Sequence, residues 1–339
     1  MSELTEGVTW TVYDADTMSQ REIYGRVLCD LAGEIPEIVG LSADLAKSTK
    51  IAAMEREFPE RFFNVGIAEQ NLFGVAAGLA KAGLIPFVST FSVFTTLRAG
   101  EFLRTDICYQ NLNCKIIATH AGTSFGQAGT THHATEDLAV ARSIANLTLI
   151  VPADGRETAN AIKACLDVDG PVYIRIGRGF EPSVYDTDDY GFQIGKAVKM
   201  HPGTDITVIA CGVPVYHAVE AARILEREDG LSVRVLNLHT LKPIDRDAIM
   251  AAVQDTRRII TFEDHNVIGG VGTAVAEVIA ESGKGCAFQR VGLPDEYAII
   301  GYPEDIINYY RIDTDGILEK VREVMGMEFE EDEDWEDEV

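Results

Sequence analysis

Short apolar runs alternate with amphipathic helical patterns along almost the whole chain, and this alternation admits few folds. It specifies helices laid over a mainly parallel sheet. The helix REIYGRVLCDLAG (21–33) leads to the strand EIVGLSAD, then to RFFNV, the glycine- and alanine-rich helix inside RFFNVGIAEQNLFGVAAGLA (61–80) and the strand LIPFVSTF. A helix near 95–110, the strands CKIIATHAG and LTLIVPA, the helix GRETANAIKACLD and the strand PVYIRIGRG follow. The polar, turn-rich stretch FEPSVYDTDDYGF (180–192) has neither helical nor strand period and reads as a linker. The alternation then resumes from DITVIACG through VYHAVEAARILERE, LSVRVLNLHTL, DRDAIMAAVQDT, RRIITFEDHN, GTAVAEVIAES and AFQRVGL to a last helix near 314–325. The expected fold class is α/β, with two consecutive mainly parallel-sheet domains. Their expected bounds are a lead over 1–17, a first domain over 18–182, a linker over 183–192, a second domain over 193–325 and an acidic tail over 326–339.

Charge excludes some partners. The formal net charge is -25 and no basic stripe interrupts it, which argues against nucleic acid. Part of the excess lies in the terminal EFEEDEDWEDEV, a like-charge block expected to be a disordered, solvating tail. Every apolar run is broken before bilayer-spanning length, and the first residues, MSELTEGVTWTVYDADTMSQ, lack the basic start and apolar core of a signal peptide. The expectation is a cytoplasmic protein with no membrane partner. Six cysteines are scattered without a C-x-x-C pair, which suits reduced core thiols, and no metal ligands are assigned.

Ligands of open α/β sheets bind beyond the carboxyl ends of strands, which singles out Asp44, Glu69, His120 and the pair Arg175 and Arg178, with EDHNVIGGVG (263–272) in the second unit. Each has an ordinary reading. Glu69 suits a helix-capping acid if the helix starts near Gly66. His265 beside Glu263 and Asp264 suits a solvated cluster, Arg178 suits pairing with one of many acids, and Phe91 and Phe94 suit core packing. His132 and His133 are adjacent, without the i, i+4 spacing of a helical metal pair.

Taken in chain order, GLSADLAKST, RFFNVGIAEQNLFGVAAGLA, PFVSTFSVF, THAG, THH, VPADGRET, IRIGRG, LNLHTLKPID and EDHNVIGGVGTAVAE closely resemble the C-terminal half of transketolases, over about residues 20–325. The resemblance implies a pyrimidine-binding domain for thiamine diphosphate followed by a transketolase C-terminal domain. It implies that Glu69 hydrogen-bonds a ring nitrogen of the cofactor's aminopyrimidine and sets its tautomer. Phe91 and Phe94 would line the pyrimidine pocket, with Leu97 where an aromatic often completes it, and Asp44 would lie near the cofactor. Arg21, Ser48, His120 and Arg178 would hold the anionic end of the sugar, and His132 would face the reacting carbons.

The GDG motif through which such enzymes bind the diphosphate and Mg2+ is absent; ADGRETAN (153–160) has no preceding glycine and lies between a strand and a helix of the wrong domain. The expected arrangement is therefore a split transketolase. A separate N-terminal subunit would carry the diphosphate and the metal, in an α2β2-like assembly, and the C-terminal domain would mainly serve assembly. In GQAGTTHHATED (126–137), Ala128 stands where the familiar pattern has an acid that contacts sugar hydroxyls. The expected consequence is a donor other than xylulose 5-phosphate, such as apulose 4-phosphate or a sulfonated sugar. Two other enzyme types share the layout, 1-deoxyxylulose-5-phosphate synthase and the beta subunits of 2-oxo acid dehydrogenases. A non-catalytic interaction protein that kept only the fold is the reading from a different class.

Overall fold

The computed structural model describes residues 18–179 and 181–327; the expected lead and all but the first two residues of the acidic tail lie outside the described residues. The first sheet holds β1 (Ile38–Ser42), β2 (Phe62–Asn64), β3 (Ile85–Phe91), β4 (Lys115–Thr119), β5 (Thr148–Ile150) and β6 (Val172–Arg175). The second holds β7 (Val198–His201), β8 (Ile206–Ala210), β9 (Val233–Asn237), β11 (Arg258–Asn266) and β12 (Ala287–Leu293). Between β9 and β11, β10 (Thr240–Lys242) leaves the second sheet and joins the first. The strand orders are β10-β5-β6-β4-β3-β1-β2 and β12-β11-β8-β9-β7. Neighbouring strands pair in parallel except β10 with β5 and β7 with β9. β1, β3 and β4 are buried along their whole length. That is why they read as continuous apolar runs rather than as alternating ones: helices cover both faces. Among the described residues no helix is long and apolar enough to cross a membrane.

Helix starts follow local chemistry. Ser19 and Glu22 form a reciprocal capping box on Gln20–Glu34, and Asp154 accepts the Glu157 N–H at the head of Gly155–Ala164. The expected helix near 95–110 is broken into π-helical turns, Phe94–Arg98 and Leu103–Cys108, around Gly100–Phe102. β7 and the helix Pro303–Tyr309 were not anticipated.

Three expectations change at the junction between the sheets. LSVRVLNLHTL is two strands rather than one, because the chain crosses over after Asn237 and pairs Thr240 with Ile150. The stretch after Glu181 has no helix or strand, but it is anchored. Tyr185 is buried and its hydroxyl bonds Glu157 Oε1 at 2.8 Å, as the Tyr190 hydroxyl does at 3.0 Å; Asn237 Nδ2 donates to both Glu157 oxygens. Glu263, Asp264 and His265 are buried rather than solvated. Glu263 accepts the Val271 and Gly272 N–H groups at 2.6 and 2.9 Å and so caps the next helix from β11, although burial pushes its carboxyl up to about 7. Asp264 accepts the Thr123 N–H and hydroxyl.

Arg175 joins the two halves. Its guanidinium grips Asp137 with both ends, Nε to Oδ2 at 2.8 Å and Nη2 to Oδ1 at 3.1 Å, and donates to the carbonyls of Ala134 and Asp264, both at 3.0 Å. Burial alone lowers the basicity of such a group, but the Asp137 carboxylate outweighs it and leaves Arg175 above its ordinary value. Asp137→Ala is expected to lower stability by about 3–5 kcal/mol, since it strands a buried charge. The urea midpoint measures this, and an unchanged midpoint would show that the pair is dispensable.

Candidate active site

The strands β2, β1, β3, β4 and β6 are consecutive neighbours and parallel, so their carboxyl ends form one edge. Along it stand Asn64 at the end of β2 and Glu69 after it, Asp44 after β1, Phe91 at the end of β3, His120 after β4 and Arg178 after β6. The order of strands in space, not in the chain, brings these residues together. Two of them sit in strained backbone: Asp44 has φ 60° and His120 φ 58°. Non-glycine residues hold that left-handed conformation only where their surroundings over-determine it.

At the β2 end, Asn64 acts as a clasp. Its Oδ1 accepts the Asp44 N–H at 3.0 Å and the Gly66 N–H at 3.1 Å, which fixes the loop that carries the exposed Asp44. Glu69 is the first residue of Glu69–Lys81, and Ala68 occupies the cap position without a side-chain bond. The expected capping role is therefore not observed. The helix begins at Glu69 itself rather than near Gly66, and the carboxylate is turned to a different partner, with Oε2 3.1 Å from Arg98 Nη1. Glu69 is only 1% exposed.

Beside it lies an aromatic cluster. Phe91 stacks on Phe94 with centroids 5.5 Å apart and packs on the His120 ring at 3.9 Å. Phe125 closes edge-on against Phe91, His120 and His132 at 5.3, 4.6 and 5.6 Å, and His132 also meets Phe94 at 5.6 Å. Leu97, in the same π-helical turn as Phe94, is 56% exposed. His132 and His133 diverge: His132 Nδ1 pairs with the Thr131 hydroxyl, whereas His133 is buried on the Gly126 carbonyl at 2.9 Å.

The cations gather at the β4 and β6 end. Arg21 donates from Nε to the Arg178 carbonyl at 2.7 Å and from Nη1 to the Ser48 carbonyl. Arg178 donates its N–H to Ser124 Oγ at 3.1 Å, and its guanidinium lies over Phe125 at 5.3 Å; among the described residues it pairs with no acid. Burial, then the charges of Arg21 and Arg178, lower the His120 pKa to about 2, so its imidazole is neutral at physiological pH. Burial pushes the nearby Glu181 carboxyl up to about 8 against the pull of Arg21.

The loop carrying the exposed Ala128 is shaped from the second domain. Gly126 (φ 49°) lies so close to the Gly301 carbonyl that a Cβ would come within 2.7 Å of it, and Gly129 (φ 78°) packs on Ile300. Thr130 Oγ1 donates to the Ala298 carbonyl at 3.2 Å. The C-terminal domain thus buttresses a wall of the site, beyond the assembly role expected of it. Asn64, Arg98, Ser124 and Phe125 were missed in the sequence, because no local pattern marks what each of them contacts. The asparagine immediately before the Val-Gly turn was the one usable cue.

Family models match both parts of the chain: "Transketolase, pyrimidine binding domain" over residues 16–180 and "Transketolase, C-terminal domain" over residues 195–317. A protein of Methanocaldococcus jannaschii, provisionally named a transketolase C-terminal section, is 41% identical over 309 residues, covering 91% of this chain and 96% of its own length. A subunit of the apulose-4-phosphate transketolase of Phocaeicola vulgatus is 37% identical over 303 residues, covering 89% of this chain and 96% of its own length. Among solved structures, a split-gene transketolase described as an inactive beta4 tetramer superposes with a TM-score of 0.82 at 42% identity, over 91% of this chain and 98% of its own. The chain belongs to the transketolase family and corresponds to its C-terminal section, the pyrimidine-binding domain followed by the C-terminal domain.

Proposed function

We propose that this chain is one subunit of a split, thiamine-diphosphate-dependent transketolase. It moves a two-carbon ketol unit from a ketose phosphate to an aldose acceptor, in the cytoplasm. The observation that carries this reading is the buried Glu69 carboxylate beside the Phe91 and Phe94 rings at the carboxyl edge of a parallel sheet. An acid next to flat aromatic faces suits an aminopyrimidine, which stacks and also hydrogen-bonds through a ring nitrogen. When bound, thiamine diphosphate supplies the carbon nucleophile and the electron sink for breaking a ketose carbon–carbon bond.

The residues divide the remaining work. Phe91, Phe94 and Leu97 hold the ring's faces, and Glu69 holds and moves the proton at its nitrogen. Asp44, fixed by Asn64, lines the same end of the sheet. Arg21, Ser48, His120 and Arg178 bind the anionic end of the sugar, with the arginines supplying charge and the neutral His120 a single directed hydrogen bond. His132 bonds the substrate oxygen on which charge develops. An N-terminal partner subunit supplies the diphosphate and Mg2+ site in an α2β2 assembly. Ala128 leaves the sugar pocket without a carboxylate and admits a branched donor such as apulose 4-phosphate. The name of the Phocaeicola vulgatus relative supports this assignment.

Purification of the chain from its native cell at low salt is expected to bring down a GDG-bearing partner, and Glu69→Ala in that complex should cut ketol transfer about 100-fold or more with assembly intact. A chain without partner or cofactor, or a variant of normal turnover, would overturn the reading. Ala128→Asp should move donor preference toward xylulose 5-phosphate by about tenfold or more in kcat/KM; an unchanged ratio would remove Ala128 from specificity. Glu181 gains its negative charge beside Arg21 as pH passes about 8. KM for an anionic donor should therefore rise through that range, and Glu181→Gln should abolish the rise.

A further inference from the structure

Among the described residues, Arg98 is the cation that touches two of the residues assigned to the cofactor's ring, Glu69 and Phe94. Its Nη1 lies 3.1 Å from Glu69 Oε2, and its guanidinium carbon lies 4.1 Å from the centre of the Phe94 ring. The side chain is 44% exposed, whereas that of Glu69 is 2% exposed, so the arginine caps a buried acid from the solvent side. Both contacts come from a local distortion. Phe94 and Arg98 open and close the π-helical turn Phe94–Arg98, which brings the guanidinium back over the ring and toward the head of Glu69–Lys81. Such turns occur mostly inside helices, and frequently at functional sites.

The two contacts conflict with the proposed roles of Glu69 and Phe94. A carboxylate engaged by a guanidinium accepts hydrogen bonds and has none to give, and a Phe94 face covered by a guanidinium cannot also stack on a heterocycle.

We propose that Arg98 is a latch on the cofactor site: it occupies Glu69 and Phe94 in the unloaded subunit and must be displaced before the pyrimidine ring can take them. This rests on the reading of Glu69 given above. The latch lowers apparent cofactor affinity by the fraction of molecules in which it is open, while keeping a buried acid paired until the ring arrives.

The test is titration of thiamine diphosphate with Mg2+ into the assembled complex, followed by calorimetry, for wild type, Arg98→Gln, Arg98→Lys and Glu69→Ala. Arg98→Gln is expected to bind about fivefold or more tighter, with faster association. Arg98→Lys, which keeps the charge, should stay near wild type. If Arg98→Gln does not assemble, Arg98→Met, which keeps an apolar stem over Phe94, carries the same expectation. Equal or weaker binding by the neutral variants, with binding lost in Glu69→Ala, would overturn the latch and leave the Glu69 reading standing. Wild-type affinity in Glu69→Ala would overturn both.

Discussion

The geometry of this molecule depends on a charge held away from water at the junction of two sheets. Arg175 ends β6 in the first sheet, grips Asp137 with both ends of its guanidinium and donates to the Asp264 carbonyl of β11 in the second. Because these bonds are directional, they set the spacing and angle of the halves more narrowly than apolar packing could. The apolar packing is itself shared, since one core cluster runs from Leu149 and Val151 to Leu236, Leu238 and Leu241. Asp137 and Ala134, which the same arginine holds, follow the Ala128 and His132 loop. The loop that carries Ala128 and His132 therefore hangs from the junction.

Within that frame the edge of the first sheet divides into two chemistries. The β2, β1 and β3 ends present two acids and aromatic faces, with Arg98 over Glu69 and Phe94, while the β4 and β6 ends present cations and a neutral imidazole. A substrate that is uncharged where it reacts and anionic at its far end fits that sequence of environments. The backbone strain at Asp44 and His120 falls one residue or two beyond the strands, where rigid ladders hold the residues that follow.

β1, β3, β4, β6, β8 and β9 were legible because full burial on both faces leaves a run of apolar residues that few other structures produce. Glu69 could be located, though its partner could not. Arg98 lies 29 positions on, and a π-helical turn decides where it points. The Glu263, Asp264 and His265 run has the look of a surface, and partners drawn from elsewhere make its burial tolerable: a helix head for Glu263, Thr123 and Arg175 for Asp264, and the Ala139 N–H for His265. Thr240–Lys242 carries no period of its own, and its place was set by the free edge of a strand some ninety positions earlier. Local pattern identified elements; contacts made across the chain decided which of them meet.

The crossing of β10 bears on how the protein is made. Until Thr240–Lys242 emerges, β5 is the outermost strand of the first sheet, with apolar Leu149 and Ile150 beside unpaired backbone groups, the kind of edge on which nascent chains stick to one another. The second half of the chain thus supplies the strand that closes this edge of the first sheet. A ribosome must pass beyond Lys242 before the site-bearing half has a finished border.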